Sequence, residues 1–251
     1  MSGATLNQAR AAPAGWYGKL ACLGDFASRR LAPAFIERWD GWLQRVLPAS
    51  RAQLGEAWLQ AYLTSPVWRF VEWAERAVQP DAACAATPVS VGVLMPSVDK
   101  VGRYFPLCVA ATLPSLAADE TDLQALLDWL DRIGALAIAT LDTRHRMQQF
   151  DAALLTEPPP LPRRTHCAAL AAPLAGQLHG AGNGMLRLPR VNALAETLIG
   201  LGQLSLAESA RGTTLWWADT GNGLNAPIFA CRGLPDAARF TAMLCATAPS
   251  A

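Results

Sequence analysis

Histidine is scarce in this chain, with three copies among 251 residues, and charged side chains make up only 16% of it. The formal net charge is +1 and no run of five basic residues occurs. Strong electrostatic attraction to nucleic acid or to an anionic membrane is therefore excluded as a dominant mode of action. No stretch approaches the roughly 18 uninterrupted apolar residues of a membrane span. Even "LLDWLDRIGALAIATL" carries Asp128, Asp131 and Arg132. The opening "MSGATLNQARAAPAG" lacks the apolar centre of a secretory signal, so a cytoplasmic location is expected. The six cysteines (Cys22, Cys84, Cys108, Cys167, Cys231, Cys245) form no CxxC or CxH pair. Zinc sites draw donors from such short spacings, so the cysteines are expected to be reduced core residues with no disulfide. No metal or other cofactor is expected.

What the chain has in quantity is apolar surface, at 52% of residues, with nine tryptophans. That amount supports a sizeable core in one large domain. "GWYGKLACLGDF" reads as a short strand entering a Gly-Asp turn. "PAFIERWDGWLQRVL" opens on Pro33, suited to a first helical turn, and repeats Phe35, Trp39, Trp42, Leu43 and Val46 on one face. Ser50 is placed to cap a second helix ending before Pro66. "VWRFVEW", "VSVGVLM" and "CVAATL" read as strands, and "TDLQALLDWLDRIGALAIATL", with Thr121 near its cap, and "HRMQQFDAALL" as helices. Another helix, "NALAETLIGLGQL", precedes a hairpin of "TTLWWAD" and "PIFACR" around "TGNG", and "PDAARFTAML" closes the chain. The expected class is α/β: a single three-layer α/β/α sandwich with a mixed, partly antiparallel central sheet. Disordered tails are expected at 1–14 and 247–251, with a single domain over 15–246. Consecutive prolines mark a rigid connector near 156–165.

Catalytic signatures are weak. There is no G-x-S-x-G elbow, and Ser97 at a strand end has no assignable base among His145, His166 and His179. Adjacent His166 and Cys167 point apart in most backbones. "HGAGNGMLRLP" lacks the lysine and hydroxyl of a phosphate loop. Asp219 beside "TGNG" stands without the further carboxylates of a two-metal site. The expectation is that the chain is not an enzyme.

The feature that stands out is "PSVDKVGRYFP", residues 96–106, a polar insert between two apolar strands. Gly102 and Pro106 suit a chain reversal. Asp99 and Arg103 are placed to pair across it, worth about 1 kcal/mol or less on an exposed turn. A docking or loop-supporting role stands level with a plain turn, and catalysis a distant third. Adjacent Trp216 and Trp217 face opposite sides of their strand, so both are buried only if both sheet faces are covered. An open face would make one of them a candidate contact.

Three blocks carry a resemblance: "GWYGKLACLGDFASRRL" with the Trp-rich helix, "GVLMPSVDKVGRYFPL", and "TTLWWAD" ahead of "CRGLPDAARFTAML". Together, from about residue 15 to 246, they resemble the TagF (ImpM) family of type VI secretion-associated proteins. The resemblance implies a three-layer α/β fold and a cytoplasmic accessory protein. It also implies post-translational repression of the secretion machine by binding its forkhead-associated scaffold protein. The candidate partner-binding or motif-loop residues are Gly24, Asp25, Phe26, Arg30, Ser97, Asp99, Arg103, Tyr104, Trp216 and Trp217. In one respect the chain departs from the pattern: Leu23 stands where the family usually has arginine before Gly-Asp-Phe, leaving Arg29 or Arg30 as replacements. The competing class is a hydrolase or phosphatase-like enzyme acting on the same apparatus. A pocket of convergent titratable groups would favour it.

Overall fold

The computed structural model describes residues 11–73, 75, 88–116, 119–162, 171–172, 174–175, 193–219 and 226–246. Strand β1 (Gly15–Gly18) and the short β2 (Ala27–Arg29) precede helix α1 (Pro33–Leu54). A single 3₁₀ turn, Gly55–Ala57, leads into α2 (Trp58–Thr64). Strands β3 (Trp68–Trp73), β4 (Val89–Met95) and β5 (Leu107–Leu113) follow, then α3 (Glu120–Ala139) and α4 (Met147–Thr156). Helix α5 (Ala193–Ser209), strands β6 (Thr213–Ala218) and β7 (Ile228–Arg232), and α6 (Ala237–Leu244) complete the described elements.

The seven strands form one sheet in the order β2-β1-β5-β4-β3-β6-β7. Every pairing is antiparallel, which corrects the expected mixed sheet. Four of the six pairings join consecutive strands, and a chain that simply reverses needs no crossover. The other two, β1 with β5 and β3 with β6, span the helical excursions and are antiparallel as well.

Alternation along the strands separates two cores. Val91, Val93 and Met95 of β4 and Leu107 and Val109 of β5 pack with Leu126, Trp129 and Ile133 of α3 and Phe150 of α4. Leu94, Cys108 and Ala110, pointing the other way, pack with Trp39, Trp42 and Val46 of α1, Tyr62 of α2 and Phe240 of α6. The sheet thus meets helical side chains on both faces. Among the described residues no helix is long and apolar enough to cross a membrane.

Helix boundaries differ from the sequence reading at two places. Ser50 caps nothing: α1 runs through Pro48 and Ser50 to Leu54, and ends where Gly55 turns to φ 56°. The Ser50 hydroxyl donates to the Leu47 carbonyl at 2.8 Å and accepts from Trp58 Nε1 at 2.9 Å, so it is spent inside the packing. Helix α3 opens at Glu120, one residue before Thr121, because the Asp119 carboxylate accepts from the Asp122 amide at 2.9 Å. Residues 11–14 are described, and Ala14 is buried with its carbonyl accepting from Arg30 Nε. The "HGAGNG" stretch, the "TGNG" turn, His166, His179, Cys84 and Cys167 lie outside the described residues.

Candidate functional site

The polar insert and the Gly-Asp-Phe turn, remote in sequence, form one structure. Gly18 ends β1 opposite Leu107, which opens β5. A Cβ at Gly18 would sit 2.2 Å from the Pro106 carbonyl oxygen, and its φ of 140° disfavours any side chain, so only glycine allows this approach. The next residue, Lys19, is buried and its Nζ donates to Asp99 Oδ2 at 2.8 Å. Ser97 Oγ donates to the Lys19 carbonyl at 2.7 Å, and the Lys100 amide donates to the Leu23 carbonyl at 2.8 Å. Tyr62 of α2 closes the base: its hydroxyl donates to the Ser97 carbonyl and accepts from the Ser97 amide.

Asp99 is the centre of this loop. Besides Lys19 it accepts from Arg103 Nε at 2.7 Å and from the amides of Val101 and Arg103 at 3.0 and 2.9 Å. Burial pushes the Asp99 carboxyl upward. The Lys19 ammonium and the Arg103 and Val101 donors outweigh that and hold it well below the usual carboxylate range. The expected Asp99–Arg103 pair is present, but it is not a surface pair: the Asp99 side chain is fully buried while Arg103 reaches solvent. The estimate of a weak exposed bridge is therefore corrected, because Lys19 supplies a buried counter-charge from the neighbouring block. Gly102 adopts φ 83° at the turn, and Val98 and Tyr104 pair as an isolated bridge across it.

Around this frame the remaining motif residues divide into supports and displayed groups. Arg103 also donates to the Gly24 carbonyl, tying the insert to the first block. Asp25 Oδ1 caps the Phe26 amide at 2.8 Å. Phe26 remains 46% exposed, meets Phe105 edge-on at 4.8 Å, and lies under Lys19 Nζ at 4.9 Å. Tyr104 packs edge-on against Tyr62 and Trp58. Val101, at the tip, is 63% exposed.

Arg30 is committed within the chain, with Nη1 pairing with Asp151 at 2.9 Å and Nε donating to Ala14. It does not stand in for an arginine at position 23. Leu23 itself packs against the core beneath α3 and α4, so an apolar residue suits that position here. Trp216 is wholly buried between Trp39, Trp42 and Phe70, its Nε1 donating to Thr214 Oγ1. As a candidate contact it is corrected to a core residue. Trp217, on the opposite face, is only partly buried against the other core.

A second feature was not foreseen. Thr112, Ser90, Glu72 and Thr214 align across β5, β4, β3 and β6 as a polar row. The row's first three members border a groove of about 820 Å³ whose wall includes Arg38, Arg45 and Asp236. The buried Glu72 carboxylate is held by both terminal nitrogens of Arg38. The signal for it was Glu72, the one acidic residue in the strand "WRFVEW", whose other charged residue is Arg69.

These observations define an α/β protein whose most elaborated feature is a braced loop joining two sequence-distant motifs. Residues 15–156, more than half the chain, match the family model for the TagF N-terminal domain, described as type VI secretion system-associated. The chain belongs to the TagF family. It is also similar to the structure described as the crystal structure of PA0076 from Pseudomonas aeruginosa PAO1. That likeness has a TM-score of 0.64 and 36% identity, over 92% of this chain and 93% of that one. No curated protein sequence matches. The family match ends with α4, whereas the structural likeness, at 92% of the chain, reaches beyond it.

Proposed function

We propose that this chain is a cytoplasmic regulatory component of a type VI secretion system that acts by stoichiometric binding, not by turnover. Its partner is the forkhead-associated scaffold protein, and binding holds the machine inactive after its components are made. Family membership supports the apparatus, and the resemblance of the three motif blocks implies the partner and the repression. The observation that carries a docking role is the division of labour in the 96–106 loop. Its Asp99 and the partner Lys19 from the first motif block are buried and satisfied, while Val101, Arg103 and Phe26 are held out to solvent on that frame. Pre-organised exposed groups on a rigid support bind with little ordering cost.

The competing hydrolase or phosphatase-like reading draws on the groove beside Glu72. There the carboxylate is already engaged by Arg38, which leaves it ill-suited as a free base.

Titration of the purified scaffold with this protein tests the proposal. Binding should saturate at a fixed ratio, Val101→Glu should weaken it with melting unchanged, and repression in cells should follow the ratio of the two proteins. Full repression at a small fraction of the scaffold's concentration would overturn it.

A further inference from the structure

Beside the braced loop lies a recess of about 490 Å³, walled by Leu47, Pro48, Arg51 and Ala52 of α1, by Trp58 and by Tyr104. Its walls are mostly apolar and aromatic, and its single charge is cationic. The Arg51 guanidinium lies 4.1 Å over the Trp58 ring. That ring is itself fixed, stacked on Tyr62 at 4.9 Å and hydrogen-bonded through Nε1 to Ser50. Among the described residues, no carboxylate pairs with Arg51, in contrast to Arg30, Arg38, Arg69, Arg103 and Arg132. Lys100 and Arg103 add exposed positive charge on the loop that supplies Tyr104, whose one carboxylate, Asp99, is buried and saturated.

We infer that this recess is a docking pocket for an acidic segment of a protein partner, with a carboxylate on Arg51 and an adjacent apolar side chain against Pro48 and Tyr104. Charge complementarity selects the occupant. A guanidinium held over an aromatic ring keeps donors for a planar carboxylate and loses little freedom on engaging one. Tyr and Trp beneath it form the rigid base that binding hot spots share. The inference deepens the proposed function, since it states the chemistry that the scaffold would present to this surface.

The competing structural account is that Arg51, in the last turn of α1, merely complements the helix dipole. The full chain would be titrated with the purified scaffold and, separately, with a fluorescein-labelled peptide of alternating Asp and Leu and its Asn-for-Asp counterpart. Wild type should bind the acidic peptide and not the neutral one, more weakly as salt rises. Arg51→Gln should lose about tenfold or more for both acidic peptide and scaffold with little change in melting. Ala52→Glu leaves the Arg51–Trp58 contact in place and sets a like charge at the pocket wall, so it should give the same loss. It covers the case in which Arg51→Gln fails to fold.

Equal scaffold binding by wild type, Arg51→Gln and Ala52→Glu would overturn the pocket while leaving the proposed function standing. Peptide binding that the variants abolish, with no scaffold binding at all, would support the pocket and overturn the proposed partner. Equal binding of acidic and neutral peptides, or of anionic vesicles in their place, would overturn the acidic occupant.

Discussion

Lys19 and Asp99, eighty positions apart, form a buried ion pair at 2.8 Å that joins the first motif block to the second. Removing Asp99 strands the buried Lys19 ammonium, and removing Lys19 leaves the buried carboxylate only Arg103 and two amides, so either loss costs more than an exposed bridge. Lys19→Met and Asp99→Asn should each lower the melting temperature by on the order of 10 °C. The double variant should fall short of the sum, because the second substitution removes a group the first has already stranded. Circular dichroism melts of the three proteins test this. Additive losses would mean that the two side chains do not depend on one another.

The same carboxylate sets an acid limit. Asp99 is held well below its ordinary value in the folded protein by Lys19 and Arg103. A depressed pKa gives stability that is present above the unfolded value, about 3.9, and is lost as pH falls through the folded one. Wild type should therefore lose melting temperature steeply below about pH 4. Asp99→Asn, which has nothing to protonate there, should show a shallower fall over the same range. Parallel curves would place the acid sensitivity elsewhere.

Trp39 should prove structural. Its side chain is 0% exposed and meets Phe35, Trp42, Phe70 and Trp216 within 6 Å between ring centres. Trp39→Ala should cost about 3–5 kcal/mol by denaturant titration. Trp39→Phe should cost clearly less, since it also removes an indole N–H that is buried without a partner among the described residues. A Trp39→Ala protein that melted like wild type and lost its scaffold would assign the helix face to an interface.

The period-3.6 stripe of Phe35, Trp39, Trp42 and Val46 and the apolar runs of β3, β4 and β5 were legible because burial writes directly into spacing. Strand β2 was not: "ASR" is three residues long and has no alternation to read. Strand direction was legible only at the β6–β7 hairpin, since elsewhere an antiparallel and a parallel partner demand the same apolar run when both faces are covered. At the site, the Asp99–Arg103 spacing pointed to a pair. The burial of Asp99 depended on Lys19, and a contact across eighty residues leaves no local pattern. The Trp58 shelf under Arg51 was hidden for a related reason. Ser50 resembles a helix cap, and only the tertiary bond from Trp58 reveals its other use.

Gly18 offers a test of how the two motif blocks are joined. Alanine there would place its methyl 2.2 Å from the Pro106 carbonyl oxygen and 2.9 Å from the Leu107 backbone, at a φ that side chains avoid. Neither neighbour is a flexible side chain that can swing aside. Gly18→Ala should destabilise the protein strongly, whereas Gly24→Ala, with open space around it, should not. Similar melting of the two would show that β1 and β5 do not approach as closely as described.

Arg103 and Val101 together separate scaffolding from docking in the loop. Arg103 is exposed, and charge reversal there looks like a clean surface probe until its partners are counted. Its Nε bonds Asp99 and an Nη bonds the Gly24 carbonyl. Glutamate at 103 would set a second carboxylate beside the buried Asp99 and release the first motif block. Like charges at that distance disfavour each other's ionised form, so the loop itself should loosen. Val101, two residues away, gives only its backbone amide to Asp99, and its side chain projects to solvent. Glutamate there keeps the amide and alters only the displayed surface. Arg103→Glu should therefore lower both melting temperature and scaffold affinity, and Val101→Glu affinity alone. Melting curves and scaffold titrations on the same preparations decide it. If Val101→Glu binds like wild type while Arg103→Glu binds and melts poorly, the loop is a support for the fold and the docking surface lies elsewhere.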